Sequence, residues 1–275
     1  MGTSATPTGR QFAVVTGASS GIGRELARLF VEHGYDVVAA AEDAGVHAAA
    51  AELQAGGARV EAVQVDLRTR EGVEELARRV EGAGRPVDAL ALNAGVGLGG
   101  AFIEQDLERI FDIIHLNVRS TVHLARLLLP GMVARGQGRV LVTSSIAALM
   151  PGSFQAVYNA SKAFDHSWAE AVRNELKDTG VTVTALQPGA TDTNFFERAE
   201  MEDTKVGQGT KDDPADVARD GFEAMLAGKD HVVAHSLRTK LMEAVAYVTP
   251  EPDREERRVG KECRPVCRSR WSPYH

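Results

Sequence analysis

The sequence predicts an α/β fold: a single, doubly wound domain in which helices cover both faces of a mostly parallel seven-stranded sheet. Short apolar runs alternate along the chain with longer segments in which apolar residues recur at helical spacing. The apolar runs are almost uninterrupted, which is typical of strands that are buried on both faces. Repeated strand–helix units of this kind connect parallel strands. The chain has 275 residues, 44% of them hydrophobic, which is enough for one large domain with its own core.

Each element follows from a local pattern. The predicted strands are residues 12–15, 36–40, 59–65, 87–92, 139–143, 181–186 and 231–234. The predicted helices are residues 22–33, 46–54, 70–81, 107–129, 158–178 and 214–226. Pro130 and Gly180 are expected to end the two long helices. We expect one domain over residues 11–253, in which the polar stretch 191–213 forms a mobile lid over the substrate.

Charge and hydropathy exclude several classes of partner. The formal net charge is −7, which argues against a nucleic acid or an anionic membrane surface as partner. No apolar run is long enough to span a bilayer. The N-terminus lacks the apolar segment of a secretory signal. We therefore expect a cytoplasmic protein with neither a nucleic-acid nor a membrane partner.

Both ends are expected to lie outside the domain. Residues 1–10 are predicted to be disordered, and residues 254–275 show no hydrophobic periodicity. This tail contains both cysteines, Cys263 and Cys267. A plausible back-translation of residues 255–263, and of the segment from Cys267 onward, resembles a sequencing-library adapter. We therefore predict that the tail is a read-through artefact or a disordered basic tail, with a CxxxC metal or redox site as the alternative. No metal site is predicted.

A glycine-rich turn, TGASSGIG at residues 16–23, joins the first predicted strand to the first predicted helix. Glycines at such a turn let the backbone approach a pyrophosphate, which then lies at the positive N-terminal end of the helix. The position between a strand and a helix is the context that this interpretation requires. The residues predicted to bind a dinucleotide here are Thr16, Gly17, Ser19, Ser20, Gly21, Ile22 and Gly23.

The second predicted strand is followed by two carboxylates, Glu42 and Asp43. A carboxylate at this point can accept hydrogen bonds from the adenosine ribose hydroxyls and repels a 2′-phosphate. Residues 39–43 contain no arginine or lysine, and Ser20 in the turn is neutral. The sequence therefore slightly favours NAD(H) over NADP(H), with Glu42 as the ribose ligand. In the alternative interpretation both carboxylates only begin a solvated loop.

Tyr158 and Lys162 are four residues apart on a predicted helix, so they share one face of it. A lysine ammonium beside a phenol favours the phenolate, which makes the tyrosine a usable acid or base near neutral pH. Ser145 lies thirteen residues before the tyrosine. A pair at this spacing also occurs by chance on solvated helix faces, so the interpretation depends on the other motifs.

Together these motifs resemble the short-chain dehydrogenase/reductase family over residues 12–234. The glycine turn, VDL at 65–67, NAG at 93–95, Asn117, Ser145, the Tyr158/Lys162 pair and PG at 188–189 occur in the family's order. The resemblance implies a Rossmann-type fold and the cofactor NAD(P)(H). It adds as cofactor-binding residues Asp66, Leu67, Asn93, Ala94, Gly95, Tyr158, Lys162, Pro188, Gly189, Thr191 and Thr193.

The sequence departs from the family pattern at the end of the second strand. NAD-preferring members usually carry the acidic residue at the position that Ala41 occupies here. Glu42 is one residue later, where NADP-preferring members often carry arginine. The displaced acid weakens the preference for NAD(H), while the absence of the arginine argues against NADP(H).

The resemblance also implies a mechanism: hydride transfer between the nicotinamide and an alcohol or carbonyl carbon. Tyr158 would exchange a proton with the substrate oxygen, and Ser145 would hydrogen-bond that oxygen. Lys162 would hold the nicotinamide ribose. Asn117 would anchor a water that relays the proton. By the same analogy, the two long helices would pair into a homodimer or homotetramer.

The substrate is predicted less sharply than the reaction. Its contacts are expected from residues 96–100, 150–155 and 195–201. The apolar side chains there are Leu98, Met150, Phe154, Phe195, Phe196 and Met201. They favour an apolar or medium-sized small molecule, although such residues also build ordinary cores. The alternatives are a 3-oxoacyl-thioester reductase that uses NADPH, and a non-catalytic dinucleotide-binding regulator.

Three further polar residues are assigned structural positions. His115 is expected to be a partly buried residue on its helix rather than a catalytic one. Asp165 and His166, just after Lys162, are expected on a solvated or subunit-facing side of their helix.

Overall fold

The computed structural model describes residues 9–54, 57–200 and 208–234. Its strands are β1 (Gln11–Thr16), β2 (Tyr35–Ala41), β3 (Val60–Gln64), β4 (Ala89–Leu92), β5 (Gly138–Thr143), β6 (Val181–Gln187) and β7 (His231–Val233). They form one parallel sheet in the order β3-β2-β1-β4-β5-β6-β7. The predicted doubly wound fold is confirmed. The strand order reverses between β1 and β4, and ligands of such sheets bind at the carboxyl ends of the strands beside that point.

Helices cover both faces of the sheet. They are α1 (Gly21–Glu32), α2 (Gly45–Gln54), α3 (Arg70–Gly82), α4 (Leu107–Ile113), α5 (Thr121–Arg135), α6 (Ala156–Glu175), α7 (Phe195–Arg198) and α8 (Pro214–Leu226). Helices α1, α2 and α8 share one core cluster with the sheet, and α3, α5 and α6 share another. Alternate residues of β1 serve the two clusters: Ala13 and Val15 face one, Phe12 and Val14 the other. This double burial explains why the strand sequences are continuously apolar.

The prediction of one helix over residues 107–129 was wrong at two points. A π-helical turn, Ile114–Ser120, separates α4 from α5, and α5 continues beyond Pro130 to Arg135. Proline removes the N–H that would bond the carbonyl of Arg126, but both residues are exposed, so water can replace that bond. The helix ends instead at Gly136, whose φ of 69° lies in the left-handed region.

Other boundaries differ from the prediction by at most three residues. Helix α6 begins at Ala156 and ends at Glu175, whereas the predicted helix covered residues 158–178 and was expected to be ended by Gly180. The short helix α7 lies within the predicted lid, and the base of that segment is joined by a bridge between Thr191 and Asp212.

Of the predicted disordered N-terminus, residues 1–8 lie outside the described residues, as does the whole tail 254–275. Over the described ranges, the helices are all too short or too polar to cross a bilayer.

Candidate active site

The carboxyl ends of the central strands open into one cleft of about 490 Å³, which is within the usual range for small-molecule sites. Most of the residues predicted from the sequence line it. They are Gly17, Ser19, Ser20, Gly21, Ile22, Gly23, Glu42, Asp66, Leu67, Asn93, Ala94, Gly95, Ser145, Tyr158, Lys162, Pro188, Gly189, Thr191 and Thr193. Among the predicted catalytic and cofactor-binding residues the two exceptions are Thr16 and Asn117, which are both buried.

The glycine turn is packed so closely that no side chain fits at the positions of Gly17 and Gly23. A Cβ on Gly23 would overlap the carbonyl oxygen of Gly17 and lie 2.5 Å from Nδ2 of Asn93. Gly17 itself has a φ of +68°, which favours glycine. Thr16 supports the turn from below, because its Oγ1 accepts hydrogen bonds from the N–H groups of Asn93 (2.9 Å) and Ala94 (3.0 Å). The turns after β1 and β4 are thereby joined.

The start of α1 is suited to an anion. Its N-cap, Ser20, makes no side-chain hydrogen bond to the first-turn N–H groups, and no acidic residue lies in that turn. Those donors are available to a phosphate at the positive end of the helix dipole. The geometry therefore fits the pyrophosphate of a dinucleotide.

Arg68 lies beside Glu42 and Asp66 at one end of the cleft, so a cation is present there although residues 39–43 contain none. Its guanidinium contacts Glu42 at 2.8 Å, Asp66 at 2.9 Å and Asp112 at 3.2 Å. Burial raises the pKa of Asp66, but hydrogen bonds from the Arg68 side chain and backbone outweigh it and hold that pKa below its ordinary value.

Arg198 reaches the same carboxylates from α7, at 3.5 Å from Asp43 and 3.9 Å from Glu42. Asp43 also accepts a hydrogen bond from Ser19 at 2.7 Å. Burial raises the pKa of Asp43. The hydrogen bonds from Ser19 and the Gly45 N–H and the charge of Arg198 together lower it by more, so the net shift is downward. Both arginines are far from residues 39–43 in sequence, and no local pattern identified them.

Ser145 and Tyr158 face the other end of the cleft. Ser145 follows β5 and is 8% exposed; its Oγ accepts from the Ala147 N–H at 3.1 Å. The Tyr158 ring is 9% exposed and lies 5.2 Å, between centroids, from the ring of Phe195. A hydroxyl, a phenol and an apolar cover thus surround the place where a substrate oxygen could bind.

Lys162 is buried beside these groups. Its Nζ donates to the carbonyl oxygen of Thr143 at 2.8 Å and to Oδ2 of Asp165 at 3.0 Å. The prediction that Asp165 lies on a solvated or subunit-facing side of its helix was wrong, since the residue is 1% exposed. Lys162, Asp165 and Ala169 follow the spacing of the apolar helix face that packs against the sheet, which places this carboxylate inside. Burial raises the pKa of Asp165, and the Lys162 ammonium offsets only part of that rise.

Asn117 lies in the π-helical turn and is completely buried. Its Oδ1 accepts from the Val96 N–H at 2.9 Å, and its Nδ2 donates to the Val96 carbonyl and to Ser161 Oγ, each at 2.9 Å. The side chain therefore ties the loop after β4 to α6. His115, in the same turn, is partly buried as predicted and lies beside Phe111.

The predicted substrate contacts are only partly brought together. Met150, Phe195 and Phe196 line the cleft. Leu98 instead packs in a small core with Ile110 and Ile113, and Phe154 is 38% exposed and does not line the cleft. Met201 lies outside the described residues. Within the described part of the chain, no group of three His, Cys, Asp or Glu residues is placed to hold a metal ion.

Comparison with known proteins agrees with this geometry. The chain matches the family model described as short chain dehydrogenase over residues 11–204. It is 35% identical to 1-deoxy-11-beta-hydroxypentalenate dehydrogenase of Streptomyces exfoliatus over 254 residues, which cover 89% of this chain and 92% of that protein. It is 33% identical to ketoacyl reductase HetN of Nostoc sp. over 64% of this chain and 62% of HetN.

A solved structure extends the comparison to three dimensions. The short-chain dehydrogenase from Sphingobium yanoikuyae in complex with NADPH superposes with a TM-score of 0.76 at 29% identity, over 81% of this chain and 87% of that chain. The resemblance inferred from the motifs is thereby confirmed, because the family match spans most of the sheet and the whole cleft. The chain belongs to the short chain dehydrogenase family.

Proposed function

We propose that this protein uses Tyr158, Ser145 and Lys162 to interconvert an alcohol and a carbonyl group of an apolar or medium-sized small molecule. Membership of the family makes it an NAD(P)-dependent oxidoreductase acting on CH–OH and C=O groups. The observation that carries the residue assignment is the single cleft, which holds the glycine turn at one end and the buried hydroxyl, phenol and ammonium at the other.

The glycines of the cleft support the binding of a dinucleotide. A Cβ on Gly17 or Gly23 would meet neighbouring atoms at 3.0 Å or less, and a Cβ on Gly95 would lie 3.3 Å from both Lys162 Nζ and Asn117 Oδ1. The Gly17, Gly23 and Gly95 backbones thus form a floor on which a flat or extended ligand can lie. When bound, the nicotinamide supplies or accepts the hydride.

The residues of the chain would manage the proton and the charge. Tyr158 would give its proton to the substrate oxygen in reduction and take it back in oxidation. Ser145 would hydrogen-bond the same oxygen as negative charge develops on it. The Lys162 ammonium, fixed by Thr143 and Asp165, would favour the phenolate and hold the ribose. Phe195 would keep water away from the Tyr158 hydroxyl.

We also propose that the protein prefers NAD(H), because the charges around Glu42 are mainly negative. Four carboxylates meet two guanidinium groups at this end: Glu42, Asp43, Asp66 and Asp112 against Arg68 and Arg198. A 2′-phosphate would enter a cluster with an excess of negative charge, whereas ribose hydroxyls can donate to the carboxylates.

The 3-oxoacyl-thioester reductase remains the second candidate, for two reasons. One similar protein is named ketoacyl reductase, and a similar solved structure contains NADPH. Arg68 and Arg198 also supply the cations that a 2′-phosphate would need. The non-catalytic regulator is disfavoured because the hydroxyl, phenol and ammonium are all present and line the same cleft.

Binding and turnover separate the three functions. Fluorescence titration with NADH and NADPH measures the preference, and a screen of ketones and secondary alcohols, together with acetoacetyl thioesters, measures the reaction. We expect tighter NADH binding, turnover of apolar ketones or alcohols, and loss of turnover but not of NADH binding in Tyr158→Phe. Selective use of NADPH with thioesters would support the second candidate. Wild-type turnover in Tyr158→Phe would contradict the mechanism.

Assembly and the lid belong to the proposal as well. Exposed apolar side chains lie along α4, the π-helical turn, α5 and α6: Phe111, Ile114, Leu127 and Phe164. They support the predicted homodimer or homotetramer, which sedimentation would test.

The lid at residues 191–213 is supported by the packing of Phe195 on Tyr158. Unchanged proteolysis of that segment under saturating NADH would count against it. The cytoplasmic location stays a prediction from the sequence.

A further inference from the structure

We propose that Asp165 is a positioning residue of the active site, which fixes the Lys162 ammonium and balances its charge so that phenolate formation at Tyr158 is held at a higher pH. The inference rests on the proposed function, because it assumes that Tyr158 exchanges the proton. It adds a carboxylate to a site otherwise described by a serine, a tyrosine, a lysine and an asparagine.

The burial of Asp165 indicates a specific partner. Its side chain is 2% exposed, and its Oδ2 lies 3.0 Å from the ammonium of Lys162, which is itself 6% exposed. Its second oxygen, Oδ1, is buried and has no hydrogen-bond partner among the described residues. A buried carboxylate is costly unless it is paired, so the ammonium is what stabilises this one in place.

The pair fixes the direction of the ammonium. An ammonium group has three N–H donors, and two of them are used by the Thr143 carbonyl at 2.8 Å and by Asp165. The backbone of Lys162 is held too, because Ser144 Oγ donates to its carbonyl oxygen at 2.7 Å. One donor is left for a group in the cleft. Its direction depends on Asp165 and is not set by the lysine alone.

The pair also changes the charge that Tyr158 experiences. Lys162 lies one helical turn after Tyr158, so without Asp165 its ammonium would lack the carboxylate that offsets part of its charge. Asn117 and Thr143 are uncharged, and His166 hydrogen-bonds Gln187 and lies 3.5 Å from Glu170.

The remaining titratable group on the neighbouring strand is His231 of β7, whose ring lies 6.1 Å from that of His166. Among the described residues, Lys162 is the charged group that acts on Asp165. Loss of the Asp165 charge should therefore change the titration of the Tyr158–Lys162 pair directly. A tyrosine–lysine pair that carries a net positive charge in a buried site releases its first proton at lower pH than one whose charge is balanced.

The test needs no substrate. The chain has four tyrosines, and subtracting the ultraviolet tyrosinate titration of Tyr158→Phe from that of the wild type isolates Tyr158. The same difference is taken for Asp165→Asn against Asp165→Asn/Tyr158→Phe. We expect phenolate formation to move to lower pH by about one unit. Asp88→Asn, measured against Asp88→Asn/Tyr158→Phe, is the control: Asp88 accepts a hydrogen bond from the Phe12 N–H at the opposite end of the sheet, and the difference also removes its effect on Tyr35, so the Tyr158 midpoint should be unchanged.

Two further measurements test whether Asp165 holds the Lys162 ammonium in place. Thermal unfolding and NADH fluorescence show whether Asp165→Asn is folded. If it is not, Asp165→Glu takes its place: the longer carboxylate should move the ammonium and weaken NADH binding about tenfold or more in a folded protein. A wild-type tyrosinate midpoint in folded Asp165→Asn would overturn the proposal, as would wild-type NADH affinity in Asp165→Glu.

Turnover of a substrate found in the screen separates this proposal from the proposed function. If Tyr158→Phe is inactive while the pH dependence of Asp165→Asn matches the wild type, only the role of Asp165 fails. If Tyr158→Phe keeps its turnover, the assignment of Tyr158 fails first. Asp165→Leu, which loses both the hydrogen bond and the charge, should lower kcat further than Asp165→Asn.

Discussion

Gly23→Ala should abolish most of the affinity for the dinucleotide, because the structure has no space for a single methyl group at that position. The new Cβ would overlap the Gly17 carbonyl oxygen and lie 2.5 Å from Asn93 Nδ2. Ordinary contacts of a Cβ are at least about 3.4 Å, so the turn would have to open by roughly 1 Å. Gly17 and Asn93 are themselves joined to Thr16, so neither neighbour can yield without disturbing the floor of the cleft.

The magnitude follows from the cost of overpacking. Inserting a methyl group into a closely packed region costs about 1–3 kcal/mol. If the folded protein relieves this by opening the turn, the same energy is lost from binding, which corresponds to roughly a 5- to 150-fold weaker Kd for NADH. If it does not, the cost appears in the free energy of unfolding. Both quantities are therefore measured, by NADH fluorescence titration and by urea unfolding.

Gly82→Ala is the matched control for this experiment. Gly82 lies in the last turn of α3, and an added Cβ would meet nothing within 4 Å. Alanine there should leave NADH binding unchanged and raise stability by up to about 1 kcal/mol. Wild-type NADH affinity together with wild-type stability in Gly23→Ala would refute the assignment of this turn as the tight floor of a dinucleotide site.

The remaining predictions concern the two ends of the cleft and the sheet. Glu42→Gln should reduce the ratio of NADH affinity to NADPH affinity about tenfold, because one negative charge is lost and Arg68 is released from one partner. An unchanged ratio in the fluorescence titrations would contradict this. Phe195→Ala should lower kcat/KM about tenfold with little change in NADH affinity, since it uncovers Tyr158; steady-state kinetics decide. Burial raises the pKa of Asp36, but an N–H bond and two arginines outweigh it and lower the net pKa. Its stabilisation is therefore complete above the unfolded pKa of about 4. It is lost as pH falls through the lower folded pKa. In Asp36→Asn, the free energy of unfolding measured with urea should therefore fall less steeply between about pH 5 and 2 than in the wild type.

Most of the fold could be predicted because its signals are local. Seven apolar runs and the helical segments between them record which residues are buried, and burial on both faces leaves a continuous pattern in each strand. The errors occurred where a local rule was overridden by context. Pro130 remains inside a helix because water can satisfy the carbonyl it frees. Helix α6 ends at Glu175 before Gly180.

The candidate site, like the fold, was predicted where short motifs specify it and missed where only residue type was used. The glycine turn, Ser145 and the Tyr158/Lys162 pair are short motifs with fixed spacing, and the structure brings them into one cleft. Leu98 and Phe154 were assigned to the substrate by residue type alone, and they lie elsewhere. Apolar residues serve a core and a pocket equally well, so composition does not distinguish the two.

By itself, the sequence determined the parallel sheet, the turn that would hold a dinucleotide, and the hydroxyl, phenol and ammonium that are proposed to carry the reaction. Only the tertiary structure placed Arg68 and Arg198 against Glu42, and Asp165 against Lys162. Charges act through space, and the chain carries no local record of which distant side chains will share a low-dielectric site. The reaction type follows from spacing along the chain, whereas the charge balance at each end of the cleft follows from how the chain packs.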